Sequence, residues 1–316
     1  MRVDREEEHF EATDGATLVG TIHLPEAEGP VPALVAVHGS SVGIRSFFLY
    51  EHLAGLLAPQ GIATFIYDRR GEGASGGKPD ASLTTLAADA RAAVKSVGRN
   101  RRIDPGRIGL WGISQGGWIA PMAAANNEDV AFLVVLSASG VSPGDQMTFA
   151  TANLLREAGC SEQDVERASD VRVRMNDLYL AGDREAAARV LEEAQREPWF
   201  EIAYLPSPDE MRAEEDEPFE VDLDIRPVLE RLTVPILLIY GETDRWVPVE
   251  ASIEVWRSAV PGRAPLTVRR ISGTGHMLTF PDARDDPLEV GPVSVEYERV
   301  LMDWLTVVPD CSSEGR

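Results

Sequence analysis

The chain of 316 residues can form one large domain carrying an insertion, or two modest domains, and its 44% hydrophobic content supplies ample core. Lys and Arg total 30 against 52 Asp and Glu, a net charge of −22, which excludes the basic footprint of a nucleic-acid binder and disfavours an anionic membrane surface. No apolar run approaches the roughly 20 residues that cross a bilayer. The charged start "MRVDREEEHF" also lacks the apolar centre of a signal peptide. A cytoplasmic protein with neither nucleic-acid nor membrane partners is expected, its oligomeric state left open.

In chain order, "HFEAT" and "ATLVGTIHLP" read as a pair of strands around the turn "DG". The continuous apolar runs "ALVAVHG" (33–39), "ATFIYD" (63–68), "IGLWGI" (108–113) and "AFLVVLSAS" (131–139) predict strands covered on both faces. Residues 46–58 and 82–97 between them predict helices. In the second, Leu83, Leu86, Ala87, Ala90, Val94 and Val97 recur at helical spacing behind a Ser82 cap. Such alternation predicts an α/β fold with a parallel sheet.

From about Val141 to Arg226 the alternation gives way to helices alone. One ends at Gly159, a second opens on Ser161 with Asp164 and ends near Gly182, and a third covers 183–197 before Pro198. The acidic stretch 209–224 reads as a solvated face. Strands resume at 234–241 and 266–271, and a helix over 293–307 closes the chain. The expected organisation is one domain over 1–316 with a helical cap, 141–226, inserted in it.

Gly112-Ile113-Ser114-Gln115-Gly116 fits G-x-S-x-G between a strand and a helix, the grammar of a nucleophile elbow. A serine nucleophile needs a base, and the base an orienting acid, in the order Ser, Asp or Glu, His for this topology. Of the five histidines only His276, in the glycine-rich loop "SGTGHML", follows Ser114. For the acid, "YGETDRWVP" presents Glu242 and Asp244. Asp244 is preferred because it stands deeper in its loop, three residues past Gly241 and 32 before His276. An oxyanion hole needs two backbone N–H groups, and Gln115 and Ser40 are the expected donors, with Ser41 the alternative to Ser40. His38, at the strand end, is expected to be structural.

Cofactors and metals are not expected. "GEGASG" (71–76) has the spelling of a dinucleotide fingerprint, but Pro79 intervenes before a helix that starts near Ser82, so no helix N-terminus meets the glycines. His9, His23, His38, His52 and His276 show no close ligand spacing, and Cys160 and Cys311 form no C-x-x-C pair.

With "VHGSS", "YDRRGEGAS", "GISQGG", "YGETDRWVP" and "GTGHM" in this order over residues 37–277, the chain resembles the α/β-hydrolase family. The likeness is to its small esterases related to prolyl oligopeptidase-type and dienelactone-hydrolase-type domains. The resemblance implies a mostly parallel, doubly wound sheet, with Ser114 as nucleophile, Asp244 as acid and His276 as base. It also makes Asp68-Arg69-Arg70-Gly71 a structural loop after the fourth strand. The implied activity is hydrolysis of a small-molecule ester through an acyl-enzyme. A thioesterase or acyltransferase using the same triad, and a ligand-sensing receptor on a retained hydrolase fold, are the alternatives. The resemblance does not cover the insert. Its apolar Met147, Phe149, Leu154, Met175, Trp199, Phe200 and Tyr204 are candidate pocket linings, foremost Met147, Trp199 and Phe200.

Overall fold

In the computed structural model, residues 3–40, 43–79, 81–213, 220–280 and 291–311 are described. Eight strands form one sheet: β1 (Val3–Glu11), β2 (Thr17–Pro25), β3 (Val31–Val37), β4 (Ala63–Tyr67), β5 (Ile103–Ile113), β6 (Phe132–Leu136), β7 (Ile236–Gly241) and β8 (Leu266–Ile271). Their spatial order is β1-β2-β4-β3-β5-β6-β7-β8. The first two strands run antiparallel to their neighbours, and β3 to β8 are parallel throughout. This is the expected α/β-hydrolase architecture.

The apolar runs are continuous because helices cover both faces. Ala33, Val35 and Val37 of β3 and Leu238 and Tyr240 of β7 point into one core. It is closed by α2 (Leu83–Val97), α3 (Gly116–Ala124) and α9 (Val249–Ala259). The alternate residues Leu34, Ala36, Leu237 and Ile239 point into a second core beneath α1 (Phe48–Leu57) and α10 (Val295–Cys311). A period of two that is apolar on both phases leaves no polar face to betray it. Ser82 caps α2 as expected, its hydroxyl accepting the Thr85 N–H at 3.2 Å.

β1 begins at Val3, well before "HFEAT", and runs through the acidic "DREEE". Its carboxylates find partners across the sheet edge: Asn100 Nδ2 donates to Glu6 at 2.9 Å, Arg102 pairs with Asp4 at 3.0 Å, and the Ser96 hydroxyl donates to Glu8. A charged edge strand also resists pairing with another chain.

Between β6 and β7 lies the helical insert: α4 (Pro143–Glu157), α5 (Glu162–Leu180), α6 (Arg184–Ala194) and α7 (Pro208–Arg212), followed by α8 (Arg226–Leu229) on the return. Ser142, Ser161 and Asp183 cap the first three, each accepting from the N–H three residues on. Ser161 and Asp164 share a side-chain hydrogen bond at 2.7 Å. The insert has an apolar cluster of its own, separate from the two cores of the sheet.

The loop after β4 is knitted by buried charge. Asp68 accepts the N–H groups of Arg45 and Ala74 at 2.8 and 2.9 Å and pairs with Arg45 Nε at 3.3 Å. Arg70 grips Asp89 in a two-pronged contact of 2.6 and 2.7 Å and reaches Asp14 at 2.8 Å. Asp89 is only 1% exposed. Arg70→Met would strand that carboxylate without its partner, so a loss of about 3–5 kcal/mol is expected in urea unfolding. The double change Arg70→Met with Asp89→Leu should recover part of it, because no buried charge is then left uncompensated. An unshifted midpoint in the single variant would contradict this role for the pair.

Candidate active site

The parallel strands all deliver their C-termini to one edge. Val37 of β3 pairs with Gly112 of β5, Ile113 with Leu136 of β6, Leu136 with Ile239 of β7, and Gly241 of β7 with Ile271 of β8. Neighbouring strands stand about 4.8 Å apart, so the loops that leave them share one surface.

Ser114 follows β5 directly and has φ 55°, in the left-handed region that a residue with a side chain occupies only under constraint. The constraint is compactness. A β-carbon on Gly112 would stand 2.4 Å from the Gly116 carbonyl oxygen, and one on Gly116 would stand 2.5 Å from the Val37 carbonyl oxygen. Only glycine lets strand, turn and helix close this tightly. The Ser114 N–H donates to Leu136 O at 3.0 Å, tying the turn to β6. The side chain is half-exposed, and its hydroxyl makes no hydrogen bond to a described residue.

Asp244 lies in the loop after β7 with its carboxylate buried. One oxygen accepts the N–H groups of Trp246 and Val247 at 2.9 and 3.1 Å, and the two oxygens stand 3.0 and 2.9 Å from His276 Nδ1. A carboxylate only accepts, so His276 Nδ1 carries the hydrogen in this contact. Glu242 is exposed and turned elsewhere, taking the Ser272 hydroxyl at 2.7 Å, which holds its carboxyl below the usual range. Of the two acids, Asp244 is the one that meets His276.

The loop carrying His276 leans back over the sheet to a residue that sequence reasoning missed. Ser137, fully buried at the end of β6 with φ 48°, donates its hydroxyl to the His276 carbonyl at 2.7 Å. Its own N–H donates to Ile239 O at 2.8 Å. β6 lies between β5 and β7, so this bond draws the histidine from the far strand towards Ser114. The signal in the sequence was a polar residue ending an apolar run, which alone does not name its partner.

His38 is structural as expected. Its Nε2 donates to the Tyr67 carbonyl at 2.5 Å, and burial drives its pKa down to about 4. Gly39 lies against the elbow, where a β-carbon would be 3.6 Å from Ser114 Cβ. The Ser40 N–H and the Gln115 N–H donate to no acceptor among the described residues. Ser41, the alternative to Ser40, lies outside the described residues.

Trp199 and Phe200, 3% and 7% exposed, sit in the insert's own apolar cluster with Leu155, Val165, Met175 and Leu191. They hold the insert together. Met147 is half-buried on the second turn of α4. The insert's aromatic that reaches the acid loop is Tyr204, 59% exposed, with its ring 5.0 Å from Trp246 and edge-on to it. Asn153 of α4 also donates to the Arg245 carbonyl at 3.2 Å, so the insert leans on the segment that carries Asp244.

The G-x-G-x-x-G stretch forms a closed turn. Gly71 N–H donates to Gly76 O at 2.9 Å and Gly76 N–H to Thr17 O at 2.8 Å, while α2 starts only at Leu83. Among the described residues, no three His, Cys, Asp or Glu side chains are grouped as metal ligands, and no helix is long and apolar enough to cross a membrane.

A level edge of parallel strands, with Ser114 in the left-handed region at the end of β5 and the buried Asp244–His276 pair on loops leaving the same edge, defines the class as an α/β fold. The sequence model of the Alpha/beta hydrolase family matches residues 34–290, and the chain belongs to that family. It is 27% identical over 298 residues to the esterase EstD of Thermotoga maritima, a match covering 89% of this chain and 63% of the esterase. It is also 27% identical over 215 residues to the polyketide transferase ATR5 of Stachybotrys chlorohalonatus, covering 66% and 65% of the two chains. The chain thus spans under two thirds of either relative. Among solved structures, the alpha/beta hydrolase GrgF from Penicillium sp. sh18 superposes with a TM-score of 0.64 at 20% identity, over 97% of this chain and 99% of that one.

The buried neutral His38 gives the fold a pH dependence. The unfolded chain binds a proton on this residue below about pH 6.5, whereas the folded chain does so only near pH 4. Its contribution is complete above the unfolded value and shrinks as pH falls through that window, by up to about 3 kcal/mol. His38→Gln is expected to flatten the decline in urea midpoint between pH 6.5 and 4; an equally steep decline would refute the assignment.

Proposed function

We propose that this protein is a serine hydrolase that cleaves small carboxylic esters. The observation that carries the reading is the buried Asp244–His276 pair on the strand edge where Ser114 is held in its left-handed turn. Ser114 attacks the ester carbonyl. His276 takes the hydroxyl proton at Nε2 and passes it to the leaving alcohol, and Asp244 fixes the tautomer and stabilises the imidazolium. The unpaired N–H groups of Ser40 and Gln115 receive the oxyanion. Water then enters by the same base and releases the acid.

Relatives named as an esterase, a polyketide transferase and a thiohydrolase support a second reading, in which the same groups transfer the acyl chain or cleave a thioester. The acyl-enzyme is common to all of these. They differ in what attacks it. A ligand-sensing receptor is less well supported, because an assembled acid–base pair serves no purpose in passive binding.

The insert, residues 141–226, acts in this proposal as a cap. It leaves the sheet at the C-terminus of β6, on the edge where ligands of open α/β sheets bind, and its Tyr204 meets Trp246 two residues beyond Asp244. Access for small esters over long polymers follows.

A fluorophosphonate probe is expected to label one peptide, the one containing Ser114. Ser114→Ala should lower kcat by at least about 10³-fold, and Asp244→Asn by about 10⁴-fold through the wrong tautomer. Most of the activity surviving in Ser114→Ala would sink the reading. Tyr204→Ala is expected to change kcat/KM between short and long acyl chains by about 1–3 kcal/mol. Trp199→Ala, a loss from the insert's core, should lower thermal stability and depress all esters alike. The opposite pattern would put Trp199 on the pocket wall.

A further inference from the structure

Of the buried arginines among the described residues, Arg70 is matched with the Asp89 carboxylate, and Arg172 is held inside the insert by the Thr151 hydroxyl and the Ala203 and Tyr204 carbonyls. Arg69, the residue before Arg70, faces the elbow instead. It is 8% exposed, and no ion pair joins it to a described carboxylate. Its Nε is buried without any hydrogen-bond partner. Its Nη1 is shared among three acceptors, Gln115 Oε1 at 2.9 Å, Gly39 O at 3.3 Å and Ser40 O at 3.5 Å. All three belong to the two segments that carry the unpaired N–H groups beside Ser114.

A guanidinium buried without a directly paired carboxylate is costly to keep, and the geometry of its bonds gives it a use. In a trans peptide the N–H points opposite to the carbonyl. By drawing the Gly39 carbonyl to itself, the guanidinium turns the Ser40 N–H away, where it meets no described acceptor. Its bond to the Gln115 side chain fixes the second donor residue at the start of α3. Glu72 and Asp89 act on the cation only from beyond ion-pair distance, and arginine keeps its proton across the whole neutral range.

We infer that Arg69 is a positioning residue for the oxyanion hole: it aims the Ser40 and Gln115 N–H groups and holds a positive charge behind them for the tetrahedral intermediate. This rests on the proposed reading of Ser114, Ser40 and Gln115. Such an arrangement acts on the transition state and leaves ground-state ester binding alone, because the charge it serves appears only when the carbonyl is attacked.

The test uses p-nitrophenyl acetate as substrate and phenylboronic acid as a probe that forms an anionic tetrahedral adduct on serine. In Arg69→Met, kcat is expected to fall about 10²-fold, the scale of one oxyanion donor, with KM nearly unchanged and boronate affinity weakened in parallel. Arg69→Lys, which keeps the charge and one donor, should recover part of both kcat and boronate affinity while Arg69→Met recovers neither. Should the methionine variant fail to fold by circular dichroism, the lysine variant against wild type decides: losses confined to kcat and boronate binding support the role, and unchanged values of both overturn it. A rise in KM alone, or one restricted to esters bearing a carboxylate, would make Arg69 a ground-state binding group and overturn the proposal. Ser114→Ala separates the two levels. If it stays active, the reading of the site fails. If it is inactive while Arg69→Met keeps wild-type kcat and boronate affinity, only the role of Arg69 fails.

Discussion

Everything at the site is referred to the contact between Gly112 and Gly116. Where a β-carbon would be 2.4 Å from a carbonyl oxygen, the backbone itself takes the space, and the chain passes from strand to helix within three residues. Ser114 has no choice but the left-handed region. The same closure places Gln115 at the mouth of α3 with its N–H unspent, and it presses α3 onto β3 so that Gly39 meets the elbow. Relaxing this contact would move the proposed nucleophile and both proposed donors together.

The surrounding charges fall into two kinds. Asp68 with Arg45, and Arg70 with Asp89 and Asp14, are satisfied and rigidify the loop after β4. In the proposed reading the Asp244–His276 pair and Arg69 serve the reaction instead. Stability and reactivity would then be divided between adjacent residues of one loop, Arg70 and Arg69.

Much of this was legible in the sequence, for reasons that can be named. Strands β3 to β7 were readable because both faces are apolar, and the order Ser, Asp, His left only His276 as base. β1 was legible only at its end, because a strand whose side chains alternate between solvent and paired carboxylates looks like a solvated charge run. Ser137 was not legible, since its role depends on which loop arrives opposite it, and Tyr204 was legible only as one of several apolar residues of the insert, with no sign of its left-handed backbone. Trp199 and Phe200 show the same limit: an aromatic in an insert fills either a core or a pocket wall, and composition does not record which face it takes. The "YDRRGEGAS" loop was recognisable as structural, but the division of labour within it needed the acceptors of each guanidinium.

The bond from Ser137 to the His276 carbonyl joins residues 139 positions apart. A domain folds as a unit during synthesis, so the proposed nucleophile and both proposed oxyanion donors are made before β7, Asp244, β8 and His276 but are set in place only with them. In the proposed reading, the chain therefore gains its base only when the last strand docks, and competence and completion of the sheet arrive in the same event.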